Sequence, residues 1–311
     1  MVARIKLLTL SVGVVAAVLY SGPCQAQSAD DSSRQIVLDR FNKARPPENV
    51  GGGPTANGAR RPRRPNVAAM RPRYRRTSPL ATLAKMKTEE IGITVWRLRP
   101  ARSTDMGARV LVLDGLKQEQ WVAERIEAGT PLNVGDRVRL TVESPRPGSL
   151  YIIDREQYAD GSFGEPMLIF PTLRTRGGDN RVEPGKLIDI PAQEDQYSYF
   201  TAQPAGEGRD QVAEVLTIIL VPQALPLQIG ALPLRIAPTD MAGWESLWGG
   251  ATERLELVNG AGQTWTNEEK LAGAAKGRQL TQTGPPPQTV YRVARRAGGS
   301  LLVTVPLKYG R

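Results

Sequence analysis

The clearest pattern in the chain is a strict alternation of apolar and polar residues from position 136 to 144. Val138, Leu140 and Val142 share one side of an extended chain, and charged or hydroxyl side chains occupy the other side. A Pro-Arg-Pro-Gly turn follows, and the apolar run at 149–154 indicates a second strand. The two runs therefore predict a β-hairpin with one face in a hydrophobic core.

Further short segments rich in β-branched or aromatic residues follow at close spacing, with Pro or Gly between many of them. They comprise residues 91–99, 165–170, 186–190, 197–201, 215–221, 289–294 and 300–307. Residues 215–221 form a continuous apolar run, which is typical of a central strand buried on both faces. Because strands do not alternate with long helices, the pattern indicates an antiparallel sandwich or barrel. We predict an all-β, immunoglobulin-like β-sandwich.

Residues 239–276 interrupt this series of short strands. Trp244 and Trp248 lie four residues apart, as on one face of a helix, and Thr-Asn-Glu-Glu at 266–269 is typical of a helix start. We therefore predict a mainly helical insertion at 239–276. The two tryptophans are expected to pack on the sandwich rather than on a ligand. The whole sandwich domain is predicted to span 89–311.

The N-terminus has the features of an export signal. Two basic residues precede a run of 14 uncharged, mostly apolar residues at 7–20, shorter than the about 20 residues that a membrane-spanning helix needs. Cys24 and Ala26 place small residues where a signal peptidase reads them. We predict that residues 1–26 are removed and that the protein is periplasmic or secreted. A lipoprotein acylated at Cys24, which the preceding proline disfavours, and an uncleaved anchor are the alternatives.

The 311-residue chain has a net charge of +10, and most of this excess lies in one stretch. Removing the signal takes away two basic residues and no acid, which leaves +8. Residues 44–76 contain nine arginines and one acid, Glu48, so they account for this excess and the rest of the mature chain is neutral. This stretch is rich in Pro and Gly, and we predict a disordered linker at 45–88. A capping-box sequence before it predicts a short helical segment at 27–44.

Three interpretations of this basic linker stay open. It can be a solvated spacer, an adhesive for anionic lipid, polysaccharide or an acidic envelope protein, or a nucleic-acid ligand. Export and the lack of interleaved aromatic residues argue against nucleic acid. The candidate residues for binding anionic surfaces are Arg60, Arg61, Arg63, Arg64, Arg71, Arg73, Arg75 and Arg76.

Several short motifs in the strand region resemble a bacterial family of unknown function. They are Gly135-Asp136 before the alternating strand, Gly148-x-Leu150-Tyr151, Phe170-Pro171, Pro184-Gly185-Lys186 and Ile190-Pro191. The resemblance covers about residues 110–221. It implies a small all-β extracytoplasmic accessory domain, of a kind also found fused to kinases and caspase-like peptidases. It implies no catalytic residues, and it does not extend to the basic linker, the helical insertion or the last two strands.

The composition excludes several kinds of chemistry. The chain contains no His, and its only Cys lies in the predicted signal, so imidazole bases, His-ligated zinc, disulfides and thiolate nucleophiles are excluded from the mature protein. Residues 154–165 have acids at positions 1, 3, 7 and 12 of a twelve-residue stretch, but Ala159 stands where a calcium loop needs Gly. We predict no metal and no cofactor.

We predict instead that 154–165 is a polar hairpin loop that contacts a partner. Its candidate contact residues are Asp154, Tyr158, Asp160, Phe163 and Glu165. The sequence thus favours an exported, non-enzymatic accessory or binding protein of the cell envelope, with an envelope or extracellular protein, or an anionic surface, as partner. The alternative is a carboxylate-dependent envelope hydrolase, because the separation of acids in sequence does not reveal their separation in space.

Overall fold

The computed structural model describes residues 39, 41–48, 72–77, 83, 86–114, 117–195, 198–204, 210–294 and 297–310. The predicted signal at 1–26 and its cleavage point lie outside these residues. Five arginines of the predicted basic linker also lie outside them: Arg60, Arg61, Arg63, Arg64 and Arg71.

The described part of the chain consists mainly of short strands. In chain order these are β1 (Tyr74–Arg76), β2 (Thr88–Pro100), β3 (Arg109–Asp114), β4 (Lys117–Ile126), β5 (Arg137–Glu143), β6 (Gly148–Tyr158), β7 (Met167–Phe170), β8 (Arg181–Val182), β9 (Leu187–Ile190), β10 (Phe200–Thr201), β11 (Gln211–Val221), β12 (Leu234–Arg235), β13 (Thr252–Leu257), β14 (Thr289–Ala294) and β15 (Leu301–Lys308). Helix α1 is Pro238–Trp248 and helix α2 is Asn267–Gly273, and 3-10 turns lie at Arg176–Gly178 and Ala297–Gly299. Among the described residues, no helix combines the length and the apolar character needed to cross a bilayer.

The long strand β2 organises the first sheet, which has nine strands. Its first half pairs with β14, its second half with β4, and its middle with β5. Because β5 overlaps both of the other partners, β14 and β4 share the opposite edge of β2. Strands β13 and β1 extend the sheet beyond β14, β3 extends it beyond β4, and β9 and β10 pair with β5.

The second sheet has six strands, in the order β12, β7, β6, β11, β15, with β8 paired to β6. Strand β11 lies between β6 and β15, and residues 215–221 are buried on both faces, as predicted. The two sheets pack face to face on one core, which contains the predicted inward residues Val138, Leu140 and Val142. Burying each such side chain contributes roughly 1.5–3 kcal/mol. The fold is an all-β antiparallel sandwich, which confirms the predicted class.

The insertion predicted at 239–276 contains both helices, but it is not helical throughout. The predicted start of α2 is confirmed by a capping box, in which the Glu269 amide donates to Thr266 Oγ1 at 3.2 Å and the Thr266 amide donates to Glu269 Oε2 at 3.0 Å. Between the helices lies β13, which corrects the prediction at this point. The segment is extended because Leu255 and Leu257 pack beside Val290 of the neighbouring strand.

The described parts of the predicted linker at 45–88 are attached to the sandwich, which corrects the predicted domain boundary. Arg45 is buried and forms an ion pair with Glu143 at 2.7 Å. Strand β1 pairs with β13, where Tyr74 lies opposite Leu257, and Leu83 is buried. The local sequence favours disorder, but these long-range contacts order the segments.

The end of the predicted helical segment at 27–44 is helical and docks on the first sheet. Phe41 is buried beside Gly92 and Pro287, and a Cβ atom on residue 92 would lie 2.9 Å from the Phe41 ring. Glycine at position 92 therefore makes room for this contact. The chain is thus anchored to the sandwich on both sides of residues 49–71.

Candidate functional site

The predicted contact loop at 154–165 is shorter in the structure, because β6 continues to Tyr158. Pairing with β11 supports this extension, in which Asp154 lies opposite Leu216 and Glu156 opposite Glu214. Asp154 and the buried Tyr158 are therefore strand residues, which corrects their assignment to an exposed loop. Residues 159–166 form the connection to β7.

Asp160, Phe163 and Glu165 do lie at the surface of this connection. Asp160 Oδ1 accepts hydrogen bonds from the amide and hydroxyl of the serine two positions later, at 2.8 and 2.6 Å. Phe163 is 44 % exposed, and the guanidinium carbon of Arg155 lies 4.7 Å from its ring centre. Glu165 forms an ion pair with Arg235 of β12. The connection thus presents one aromatic ring and two acids.

Helix α1 lies beside this connection, on the outer side of the second sheet. Glu245 of α1 forms an ion pair with Arg155 at 2.5 Å, so one guanidinium joins the helix to Phe163. Trp244 and Trp248 stack with ring centres 5.9 Å apart and 10° between their planes. Both pack on an apolar cluster contributed by β6, β7, β11 and β15, as expected for these tryptophans.

Large apolar side chains are exposed around α1. Leu247 is 65 % exposed, Leu232 63 % and Leu173 53 %. The Leu173 amide donates to the Gly230 carbonyl at 2.8 Å, which joins it to the segment 222–236 that covers the same apolar cluster as α1. We call the surface formed by Phe163, Leu173, Leu232, Trp244, Leu247 and Trp248 the α1 face. Large apolar side chains exposed on a folded domain are candidates for an interaction site.

Asp154 faces the space between the two sheets and lines a cavity of about 120 Å³. Glu214 of the neighbouring strand β11 lines it too, and its Oε1 atom accepts hydrogen bonds from Gln211 Nε2 at 2.8 Å and from the Tyr309 hydroxyl at 3.1 Å. Most of the remaining wall is apolar and comes from both sheets; it includes Val138, Leu140, Phe200, Leu216 and Leu307.

Asp154 and Glu214 form a carboxyl pair at the cavity, and the pKa of each is raised. Burial and the neighbouring charge of Glu214 raise the pKa of Asp154 to about 8, and burial raises the pKa of Glu214. The two side chains are diagonal neighbours on one face of the β6–β11 pair, because Asp154 lies opposite Leu216, two residues from Glu214. Asp154 Oδ1 and Glu214 Oε2 have no hydrogen-bond partner among the described residues. The pair can therefore exchange a proton with solvent near neutral pH.

Glu214 is a site residue that the sequence reasoning missed, although a signal for it exists. It precedes Leu216 and Ile218 at spacings of two and four, so the alternation of β11 places it on the core side. Asp154 continues the inward series of Leu150 and Ile152 in the same way. Alternation therefore predicts that both carboxyls are inward, but only strand pairing brings them together.

The described arginines of the basic linker are mostly paired with acids of the sandwich. Arg75 lies 2.5 Å from Glu127, and Arg76 forms an ion pair with Glu253. These two side chains do not offer the free positive charge that was expected of them, because β1 places them beside the acids. Arg73 is exposed. Binding of an anionic surface by Arg73 and by the five arginines outside the described residues stays a prediction.

Comparison of the chain with protein-family models, with curated proteins and with solved structures finds no match. The resemblance to the extracytoplasmic family therefore stays a prediction. Within the described ranges, no three acidic or cysteine side chains are grouped in a way that could hold a metal ion.

Proposed function

We propose that the protein is an exported, non-enzymatic binding protein of the cell envelope and that its partner docks on the α1 face. The observations that carry this proposal are the exposure of Leu247, next to Trp248 in α1, and of Leu232, in the segment that covers the same apolar cluster as the stacked tryptophans. Removing such apolar surface from water contributes roughly 25 cal/mol per Å². The export signal and the resemblance of residues 110–221 to extracytoplasmic accessory domains support the location.

The α1 face is held in place by contacts within the protein. The ion pairs Arg155–Glu245 and Arg235–Glu165 connect α1, β12 and the β6–β7 connection to the second sheet. A surface that is ordered before binding loses less conformational entropy when a partner docks. We take the partner to be a protein with a complementary apolar patch.

We propose further that the basic linker adds attraction to an anionic surface near this partner. Six arginines would carry it: Arg60, Arg61, Arg63, Arg64, Arg71 and Arg73. Attraction between exposed charges is screened by salt within about 8–10 Å at physiological ionic strength, so this contribution is expected to be largest at low salt.

Capture of partners from native envelope fractions by crosslinking tests the α1 face. Leu247→Lys places a charge on the face, at a helix position near the C-terminus where a cation is tolerated. It is expected to reduce capture of the partner about tenfold, the loss typical of a truncated central contact. Met106→Lys is the matched control, because Met106 is 94 % exposed and lies outside the α1 face. Equal capture by the two variants would contradict the proposal.

A carboxylate-dependent hydrolase is the second candidate, and the Asp154–Glu214 pair is the observation that favours it. Two acids with raised pKa values beside a cavity are the groups that general acid–base catalysis uses. A cavity of about 120 Å³ leaves room for only a small part of a substrate. Under this function Glu214→Gln abolishes hydrolysis of envelope material. Under the binding function Glu214→Gln leaves capture of the partner intact, whereas Leu247→Lys reduces capture about tenfold.

A further inference from the structure

The carboxyl pair lies where the two sheets meet at one end of the sandwich. Asp154 and Glu214 belong to the second sheet, and the wall opposite them is formed by Val138 and Leu140 of β5 and Phe200 of β10, from the first sheet. No basic side chain is present among the described residues that line this cavity. The contact between the sheets here therefore joins a carboxyl pair to an apolar surface.

We propose that the Asp154–Glu214 pair is a pH-sensitive latch between the two sheets. With a proton shared by the two carboxyls, this end of the sandwich is closed. When the proton leaves to solvent, two carboxylates face an apolar wall, and β10 separates from β5 so that water enters the cavity. This inference is independent of the partner proposed for the α1 face.

The groups around the pair compensate its charged state only in part, through hydrogen bonds that Gln211 and Tyr309 donate to Glu214. Glu156 of β6 is a third acid near the pair, and Tyr309 after β15 contributes a neutral hydroxyl to Glu214. The wall residues from β5, β7 and β10 carry no titratable group. A hydrogen bond from the Arg155 backbone is the one interaction that favours the ionised form of Asp154. Loss of the proton therefore leaves repulsion in a poorly solvated space.

Strand β10 is the shortest of the strands that line the cavity. It has two residues, Phe200 opposite Val138 and Thr201 opposite Arg137. The Ala202 amide adds a bond to the Asp136 carbonyl at 2.7 Å, and the Ala202 carbonyl accepts one from the Gly135 amide at 2.8 Å. A segment attached by so few backbone bonds opens at a lower free energy than the long strands of the core.

The direction of the pH effect follows from the proton affinity of the pair. The folded state holds the proton up to a higher pH than the unfolded chain, whose aspartates ionise near pH 4. The closed state is therefore fully favoured below about pH 4, and this advantage is lost as the pH rises through about 8.

Hydrogen exchange followed by mass spectrometry on the full chain tests the latch. After correction for the intrinsic exchange rate, amides of residues 200–202 are expected to exchange about tenfold faster at pH 9 than at pH 6. Asp154→Asn keeps an amide donor toward Glu214 and cannot ionise, so it is expected to stay protected at both pH values. Asp160→Asn, at an exposed acid of the β6–β7 connection, is expected to behave like the unsubstituted protein.

Equal protection of residues 200–202 at pH 6 and pH 9 in the unsubstituted protein would overturn the proposal. The same pH dependence in Asp154→Asn would also overturn it. If this variant does not fold, carboxyl carbon NMR of the unsubstituted protein decides the matter. An Asp154 pKa above 7 supports the latch, and an ordinary value near 4 refutes it.

Discussion

Arg45 is a buried charge whose partners come from distant parts of the chain. Its Nε and Nη2 atoms each donate to the Glu143 carboxylate at 2.7 Å, and its Nη1 and Nη2 atoms donate to the carbonyls of Gly284 and Pro285 at 3.0 Å. The planar guanidinium matches a carboxylate in this two-bonded geometry. Removing one partner leaves the other as an uncompensated charge away from water.

Glu143→Gln is therefore expected to lower the free energy of unfolding by about 3–5 kcal/mol, as measured by denaturant titration. The exposed pair Arg75–Glu127 provides a matched control. Glu127→Gln breaks the same kind of ion pair in solvent and is expected to cost at most about 1 kcal/mol. Similar losses of unfolding free energy in the two variants would show that burial does not increase the contribution of the Arg45–Glu143 pair to stability.

The environments of Arg45 and Asp154 could not be predicted from their neighbours in sequence. Arg45 lies among Pro and Gly, which favours disorder, and Asp154 follows a strand as though it began a loop. Arg45 is buried because the Glu143 carboxylate of β5 compensates its charge, whereas Asp154 faces the cavity because the pairing of β6 with β11 turns it inward. By contrast, Asp160 and Phe163 were predicted at the surface because an Asp-Gly turn is a local signal.

At the scale of elements, strands with an apolar pattern visible in their own sequence were predicted. Strands that form because they pair with a neighbouring strand were not. Strands β5, β11 and β15 bury every second residue or more, a pattern visible in the chain. Strand β4 contains Lys, Gln, Glu and Ala, which favour a helix, but pairing with β2 and β3 outweighs that preference. Strand β1 is arginine-rich and exists because Tyr74 packs with Leu255 and Leu257 of β13.

Tyr74→Ala is expected to release β1 from the first sheet. The substitution removes the buried ring and its hydroxyl bond to the Pro287 carbonyl, while the two sheets keep their common core. Trypsin is expected to cleave after Arg75 or Arg76 about tenfold faster, because local opening exposes these bonds. Arg73→Gln changes an exposed side chain next to β1 and serves as the control. An unchanged cleavage rate in Tyr74→Ala would contradict the anchoring role of this residue.

At the scale of the whole molecule, the basic linker connects two points of one domain. Residues 41–48 are fixed by Phe41 and Arg45, and residues 72–77 are fixed by β1. A linker that tethers the sandwich to a separate body would leave one of these sides free. The attachments also use three positive charges, Arg45, Arg75 and Arg76, to compensate acids of the sandwich. The charge available for an anionic surface is therefore smaller than the composition suggests.

An experiment that tests whether the linker arginines bind an anionic surface must leave strand β1 intact. Deletion through Arg76 would remove the strand together with the arginines, so a loss of binding would report stability as well as charge.

Substituting Arg60, Arg61, Arg63, Arg64 and Arg71 with Gln changes only residues between the two anchors. If these arginines serve only to bind an anionic surface, we expect a melting temperature within about 2 °C of the unsubstituted protein. We also expect binding to vesicles with anionic headgroups to be lost at low salt and to differ little at high salt. Retained binding at low salt would show that the basic stretch is a spacer.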